Sequence, residues 1–117
     1  MQAVLIHTAF ERTPRAVATI DIADMKGDEA LEYVFRVTQN LEGSWSKGPA
    51  IEWNGEIHNN PDFNPNITLL VPLPERDGNT LGLRSTSVDD QILLGNKKYR
   101  VAYAGFEALE EEAYYGA

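Results

Sequence analysis

The chain contains no cysteine, which excludes disulfide bonds, thiolate catalysis and cysteine-ligated metal together. It has only two histidines, His7 and His58, which are too few for a zinc site of the usual composition. His58 lies four residues before Asp62, but the asparagines and proline around them predict a loop, not a helix that would orient both side chains. We therefore predict no metal and no cofactor.

Long hydrophobic runs and basic side chains are also scarce. No apolar run approaches the roughly 18 residues that span a bilayer, and the N-terminus lacks the basic leader of a secretory signal. We therefore expect a cytoplasmic protein with no membrane partner. Eighteen acidic side chains against ten basic ones give a net charge of −8, and phosphate backbones repel such a chain. Direct binding of nucleic acid is accordingly disfavoured.

What the sequence does contain is a clear hairpin pattern in its last third. Alternating apolar positions predict one face of a two-stranded ribbon, formed by Ile92, Leu94, Tyr99, Val101 and Tyr103. Gly95-Asn96 is a two-residue loop of the kind that closes a tight hairpin. This loop would place Ile92 opposite Tyr99, and Leu93 opposite Lys98 on a mixed second face.

The remaining patterns predict an α+β fold in a single domain, residues 1–117. Short apolar runs predict strands at residues 3–7, 16–22 and 67–71. The prolines after the last run either restrict that strand to a sheet edge or end it early. Asp77-Gly78 predicts a turn, after which residues 81–84 would pair back. We expect an antiparallel sheet of five or six strands with one principal helix packed on a face.

Two helices are predicted. The first runs from Asp28, as the N-cap, to Leu41, with Gly43 as its stop signal, because apolar residues recur at three- and four-residue steps. The second is a short acidic C-terminal helix from Phe106 to about Ala113. Its acidic cluster consists of Glu107, Glu110, Glu111 and Glu112. The cluster is interpreted either as a solvated surface or as part of an acidic binding face.

Residues 42–66 form a polar connection that contains both tryptophans, Trp45 and Trp53. A connection of this length is usually functional or contains further structure. Asn54-Gly55 is a candidate hairpin turn, although Ile51 and Trp53 would then share a face with two polar residues. Each tryptophan is either a buried tether for the loop or an exposed binding anchor. We predict that Trp45 is the tether and that Trp53 is the more exposed ring.

The polar run from Arg84 to Asp90 is the main candidate for chemistry. Its arginine, hydroxyl side chains and aspartates could bind a ligand, but the same residue types also shape turns by bonding the local backbone. We favour the structural role, in which Asp90 anchors the turn and Arg84 pairs with Asp90. No Gly-x-Ser-x-Gly elbow accompanies Ser85 or Ser87, so no catalytic residue is predicted.

The run Arg84-Ser85-Thr86-Ser87-Val88-Asp89-Asp90 also carries a resemblance. Together with the following Gln91-Ile92, Tyr99, Val101 and Gly105-Phe106, it resembles a pattern in small phage- and plasmid-encoded proteins of unknown function. Those proteins read Arg-Ser-x-Ser-Val-Gly-Asp before a strand pair, so Asp89 stands where they have glycine. The resemblance implies a mobile-element origin, in a host cytoplasm if phage-encoded, and it transfers no catalytic role.

Two functions remain open at this level. The first is a non-enzymatic protein that binds a host protein, such as an inhibitor or an anti-defence factor, with an acidic surface suited to a basic partner. The second is a small-molecule or nucleotide-binding module, either with or without catalytic activity. Its pocket would be formed by the Arg84–Asp90 turn and the 42–66 loop. The candidate binding residues for the two hypotheses are Trp45, Trp53, Arg84, Ser85, Ser87 and Asp90.

Overall fold

An antiparallel sheet with one helix organises the part of the chain that the structure describes. The structure is a computed structural model and describes residues 1–109. Its elements are β1 (Gln2–His7), β2 (Arg15–Asp21), α1 (Gly27–Val37), β3 (Ala50–Trp53), β4 (Glu56–Asn59), β5 (Ile67–Leu69), β6 (Glu75–Arg76), β7 (Asn79–Thr80), β8 (Gln91–Leu94), β9 (Lys97–Val101) and β10 (Phe106–Ala108). Six strands form one sheet in the order β10-β9-β8-β1-β2-β5, while β3–β4 and β6–β7 are separate hairpins. This agrees with the predicted α+β class and strand number.

The hydrophobic core lies between the middle of this sheet and the helix. Leu5 of β1 faces Ala18 of β2 on one side and Ile92 of β8 on the other, and all three side chains are fully buried. The helix covers this surface with Ala30, Leu31 and Val34. Burying one such aliphatic side chain contributes about 1.5–3 kcal/mol, so this layer accounts for the close packing of α1 on the sheet.

The predicted register of the β8–β9 hairpin is confirmed. Ile92 pairs with Tyr99 and Leu93 pairs with Lys98 across a loop in which Gly95 has a φ of 66°. The apolar face ends sooner than predicted, however. Val101 is buried, but Tyr103 lies beyond β9 and is 96% exposed. Its alternation with Val101 was misleading because the chain leaves the strand at Ala102, which donates its N–H to the carbonyl oxygen of Gly105 at 3.0 Å.

The principal helix is present, but both of its predicted ends were wrong. Asp28 is in the first turn, where its charge suits the helix dipole, and the cap position belongs to Lys26, whose side chain makes no capping bond. The helix ends at Val37. The next residue, Thr38, donates its hydroxyl to the carbonyl oxygen of Val34 at 2.8 Å, and its own carbonyl oxygen accepts the main-chain N–H of Thr86 at 3.0 Å. Leu41 consequently lies outside the helix and is 74% exposed.

The predicted C-terminal helix is not supported. Phe106 begins strand β10, which pairs antiparallel with β9. Gly105 has a φ of 81°, which reverses the chain towards the sheet, and the Phe106 ring then packs edge-on against Phe35 of α1 at 6.5 Å. Glu107 completes the strand by pairing with Arg100 at 2.7 Å. The rest of the predicted helix, residues 110–113, lies outside the described residues.

The remaining strand predictions are mostly correct. β5 pairs with β2 at the edge of the sheet and ends at Leu69, before the predicted Val71, so both consequences expected of the following prolines are present. The Asp77-Gly78 turn is present, but Asn79–Thr80 pairs back instead of residues 81–84. Among residues 1–109, no helix is long and apolar enough to cross a membrane.

Candidate functional site

The carboxylate of Asp90 organises the turn that enters β8. Its side chain is fully buried and accepts hydrogen bonds from three main-chain N–H groups. Oδ1 accepts from Thr8 at 2.8 Å and from Ala9 at 3.0 Å, and Oδ2 accepts from Ser87 at 2.8 Å. One side chain therefore joins the segment after β1 to the polar run before β8, which is the anchoring role that the sequence predicted.

Arg84 neutralises this buried carboxylate with a two-pronged ion pair. Its Nη1 lies 2.7 Å from Oδ2 of Asp90 and its Nη2 lies 2.8 Å from Oδ1. Nη2 also reaches the Glu11 carboxylate at 2.9 Å, and the Phe10 ring covers the guanidinium at 4.9 Å. Burial raises the pKa of Asp90, but the bonds from Arg84 and the main chain outweigh it and lower that pKa to about 2.

The hydroxyl residues of the run bond to the end of the helix. Ser85 Oγ accepts the main-chain N–H of Asn40 at 2.8 Å, and Thr86 Oγ1 lies 2.8 Å from the hydroxyl of Thr38. Thr86 also donates its main-chain N–H to the carbonyl oxygen of Thr38 at 3.0 Å. The run thus joins α1 to the sheet, and the bonds at Ser85 and Thr86 are structural ones.

His7 is a buried histidine at the end of β1. Its Nε2 lies 3.5 Å from Thr86 Oγ1 and 4.0 Å from Asp90 Oδ2. Burial lowers the pKa of His7, against the opposing attraction of the Asp90 carboxylate. A catalytic relay needs the hydroxyl and the carboxylate on different ring nitrogens, whereas both face Nε2 here. His7 and Thr86 are also almost fully buried, so this group is part of the core.

Trp45 is a tether, as predicted. Its side chain is 1% exposed, and its indole Nε1 donates to the carbonyl oxygen of Arg84 at 2.8 Å. The Trp45 ring meets the His7 ring edge-on at 6.2 Å, and Trp45 donates its main-chain N–H to Asn40 Oδ1 at 2.9 Å. These contacts fix the start of the 42–66 connection against the polar run.

Two side chains that the sequence analysis did not recognise as anchors bond the later part of the same connection to its start. Asp62 Oδ2 accepts three successive main-chain N–H groups, from Leu41, Glu42 and Gly43, at 2.7–3.0 Å. Asn60 donates its amide to the carbonyl oxygen of Ser44 at 2.7 Å and occupies a buried position. An Asn-Pro-Asp sequence suggests turn chemistry, but the distant segment that it bonds is set by the tertiary fold.

These bonds leave no metal set around Asp62. Its carboxylate is committed to the main chain, and His58 lies on the exposed strand β4, where its Nε2 is 3.6 Å from Glu56. Within residues 1–109, no group of three or more metal-ligating side chains is brought together.

The anchored connection presents β3 and β4 as an arm outside the main sheet. The Asn54-Gly55 turn has positive φ at both residues, 54° and 78°, which is the requirement of a tight two-residue hairpin. Trp53 is 67% exposed and Ile57 is 71% exposed. The Trp53 ring meets His58 at 6.0 Å on the face that the sequence predicted for both residues. The predicted exposure of Trp53 is confirmed.

An open cleft of about 660 Å³ lies beside the arm. One wall consists of residues 46–48 and 50–54, and the other consists of Leu73 and residues 78–80. The lining is more polar than apolar, and Trp53 is the largest apolar side chain among the lining residues. The lining therefore suits a ligand with both polar and apolar parts.

Of the six predicted binding residues, the structure brings Trp45, Arg84, Ser85, Ser87 and Asp90 together in one internal network. It places Trp53 apart from them, on the exposed arm. Comparison with known proteins adds no assignment: no family model, no curated protein and no solved structure matches this chain.

Proposed function

We propose that this protein acts without catalysis, by binding another protein through the β3–β4 arm. The observation that carries the proposal is Trp53, which is 67% exposed on a hairpin with a firmly bonded base. Exposed tryptophans on ordered backbone are the side chains that most often dominate protein interfaces, because a large apolar area is buried with little loss of conformational freedom. Ile57, on the opposite face of the arm, extends the available apolar surface.

The contacts at the Arg84–Asp90 turn support this function over a small-molecule site. Both guanidinium nitrogens that point at Asp90 are bonded there, and the indole N–H of Trp45 is bonded to the main chain. A ligand at this turn would have to displace a buried ion pair, which is strongly unfavourable. Of the six candidate residues, the one with an exposed side chain is Trp53, and it lies on the arm.

The charge of the chain favours a basic partner. A net charge of −8 attracts positively charged surfaces and accelerates their encounter at low ionic strength. The resemblance to phage- and plasmid-encoded proteins suggests that this partner is a host protein, which the binding would inhibit or redirect.

Affinity capture tests this proposal directly. The full chain is immobilised, exposed to a bacterial lysate, and its bound proteins are identified by mass spectrometry. We expect Trp53→Ala to weaken capture about 30-fold, since an interface hot spot contributes about 2 kcal/mol or more. Tyr103→Ala is the matched control, because Tyr103 is an aromatic residue that is 96% exposed on another surface. Equal capture by both variants would contradict the proposal.

A further inference from the structure

The cleft beside the arm runs along strand edges. Five consecutive residues, 50–54, line it, while no residue of β4 does. Successive side chains of a strand point to opposite faces, so an unbroken run of residues can border a cleft only along the edge of the strand. The opposite wall includes both residues of β7 but neither residue of β6. The cleft therefore separates the outer edges of two hairpins.

The hydrogen-bonding pattern shows which main-chain groups of β3 point into the cleft. At the base of the arm, Asn60 donates its N–H to the carbonyl oxygen of Pro49 at 2.9 Å. Hydrogen-bonded and non-hydrogen-bonded pairs alternate along an antiparallel ladder. Since Pro49 and Asn60 form a hydrogen-bonded pair, Ala50 and Glu52 belong to non-hydrogen-bonded pairs. Their main-chain N–H and C=O groups therefore point away from β4. Both residues line the cleft.

The same counting applies to the second hairpin. Leu81 donates its N–H to the carbonyl oxygen of Pro74 at 2.8 Å, so the neighbouring residue, Thr80, directs its main-chain groups away from β6. Within residues 1–109, the main-chain hydrogen bonds outside the ladders include none to Ala50, Glu52 or Thr80. Such unpaired edges are templates for a further strand.

We propose that the cleft receives an extended segment of the partner protein as an added β-strand between β3 and β7, with a Lys or Arg side chain of that segment over the Trp53 ring. This inference rests on the proposed function of the arm. β3 offers about 13 Å of edge, from four residues at about 3.3 Å each. The segment bonds through its main chain, and its alternate side chains supply the specificity.

The charges around the cleft favour a basic segment. Glu52 lines the cleft, Glu56 faces Trp53 across the ladder, and Asp77 adjoins the lining residue Gly78. On the basic side, Lys47 lines the cleft, and Arg76 faces the lining residue Asn79 across its ladder. Tryptophan has the aromatic face that attracts cations best, and the His58 ring meets the Trp53 ring edge-on at 6.0 Å. An acidic or phosphate-bearing segment would be repelled by these groups.

A display library of random hexapeptides, selected on the immobilised full chain, provides the probe. We expect enriched peptides to combine β-branched residues with Lys or Arg. Replacing the basic residue by Gln should weaken binding about tenfold, as a loss of about 1.4 kcal/mol. Failure to enrich any peptide, or enrichment of acidic ones, would overturn the proposal.

Proline substitutions then test the strand geometry. Ala50→Pro and Thr80→Pro each remove one N–H that points into the cleft and change no charge, and proline is tolerated where the N–H of an edge strand is free. We expect each to weaken the selected peptide at least tenfold. A peptide N-methylated at its two central residues tests the same bonds without altering the protein, and it should bind equally poorly.

The outcomes separate this inference from the proposed function. If Trp53→Ala abolishes capture of the partner while the proline variants and the N-methylated peptide bind normally, the arm binds protein but not by strand addition. If Trp53→Ala also has no effect, the proposed function fails with it. Sedimentation of the full chain gives a further outcome. A dimer that Ala50→Pro dissociates would show that a second copy fills the cleft, and the basic partner segment would be rejected.

Discussion

Replacing Asp90 by asparagine should destabilise the fold far more than the same change at the neighbouring Asp89. Asp90→Asn keeps the size of the side chain but removes the charge that balances Arg84. It also places an amide N–H₂ group among donors, because main-chain N–H groups or the guanidinium surround both carboxylate oxygens. Asp89→Asn is the matched control, since that side chain is exposed and its ion-pair partner within residues 1–109 is Arg100.

The expected magnitude follows from the burial of the pair. Breaking a buried ion pair by removing one partner raises the free energy of the folded state by about 3–5 kcal/mol. Arg84 is 26% exposed and retains Glu11 as a partner, so the lower end, about 3 kcal/mol, applies. In a domain of this size each kcal/mol lowers Tm by about 4 °C, so Asp90→Asn should lower it by about 12 °C. Asp89→Asn should cost less than about 1 kcal/mol.

The difference between the wild type and Asp90→Asn should also depend on pH. The pKa of Asp90 falls from 3.8 to about 2 on folding, so its ionised form stabilises the folded state by about 2 kcal/mol. Because the folded pKa is the lower one, this contribution is fully present above pH 5 and is lost as the pH falls through 3.8 towards 2. The free-energy difference should therefore shrink from about 3 kcal/mol at pH 7 to about 1 kcal/mol near pH 2.

Urea unfolding at a series of pH values, followed by circular dichroism, measures these differences. Equal destabilisation by Asp90→Asn and Asp89→Asn would refute the anchoring role of Asp90. A difference that stays constant from pH 7 to pH 2 would refute the ionic basis of that role.

Two further predictions concern the hairpin and the tryptophans. Val101→Asp should unfold the domain, because Val101 is 3% exposed and the new charge would have no partner, whereas Lys98→Asp on the exposed face should change Tm by only a few degrees. Equal shifts of Tm for the two variants would contradict the observed register. In the single-tryptophan variant Trp53→Phe, the emission of Trp45 should be blue-shifted and slowly quenched by iodide, whereas in Trp45→Phe the emission of Trp53 should be red-shifted and readily quenched. The opposite pair of spectra would contradict the roles of Trp45 as tether and Trp53 as exposed anchor.

Features that depend on local chemistry could be predicted from the sequence. Gly95-Asn96 and alternating side chains fix the register of β8–β9 because the loop length and the two-residue period leave one arrangement with a buried apolar face. Asp89 has a φ of 83°, in the region of positive φ that aspartate tolerates better than most residues. Asp90 and Arg84 could also be paired, since they lie within one turn of chain.

Features that depend on distant contacts could not be predicted. The helix ends early because Thr38 bonds to Thr86, which is 48 positions away. Phe106 enters a strand, where its ring meets Phe35 of α1, although the following glutamates suggest a helix. The base of the arm depends on Asp62 and Asn60, and nothing local shows which main-chain groups these side chains will bond.

The cleft depends both on local turn chemistry, which forms its two hairpins, and on distant contacts, which hold those hairpins in place. Hairpins as short as β3–β4 and β6–β7 are marginally stable in water by themselves, so the bonds at their bases, such as that from Asn60 to Pro49, must hold them in place. An open strand edge invites association with other chains, and natural proteins usually protect it with charge. Glu52 provides that charge here. Because a second copy of this acidic chain would bring the same charge to the edge, Glu52 disfavours self-association, while a basic segment would be attracted by it. The Glu52 carboxylate can therefore both disfavour pairing of this edge with a second copy of the chain and favour a basic partner segment.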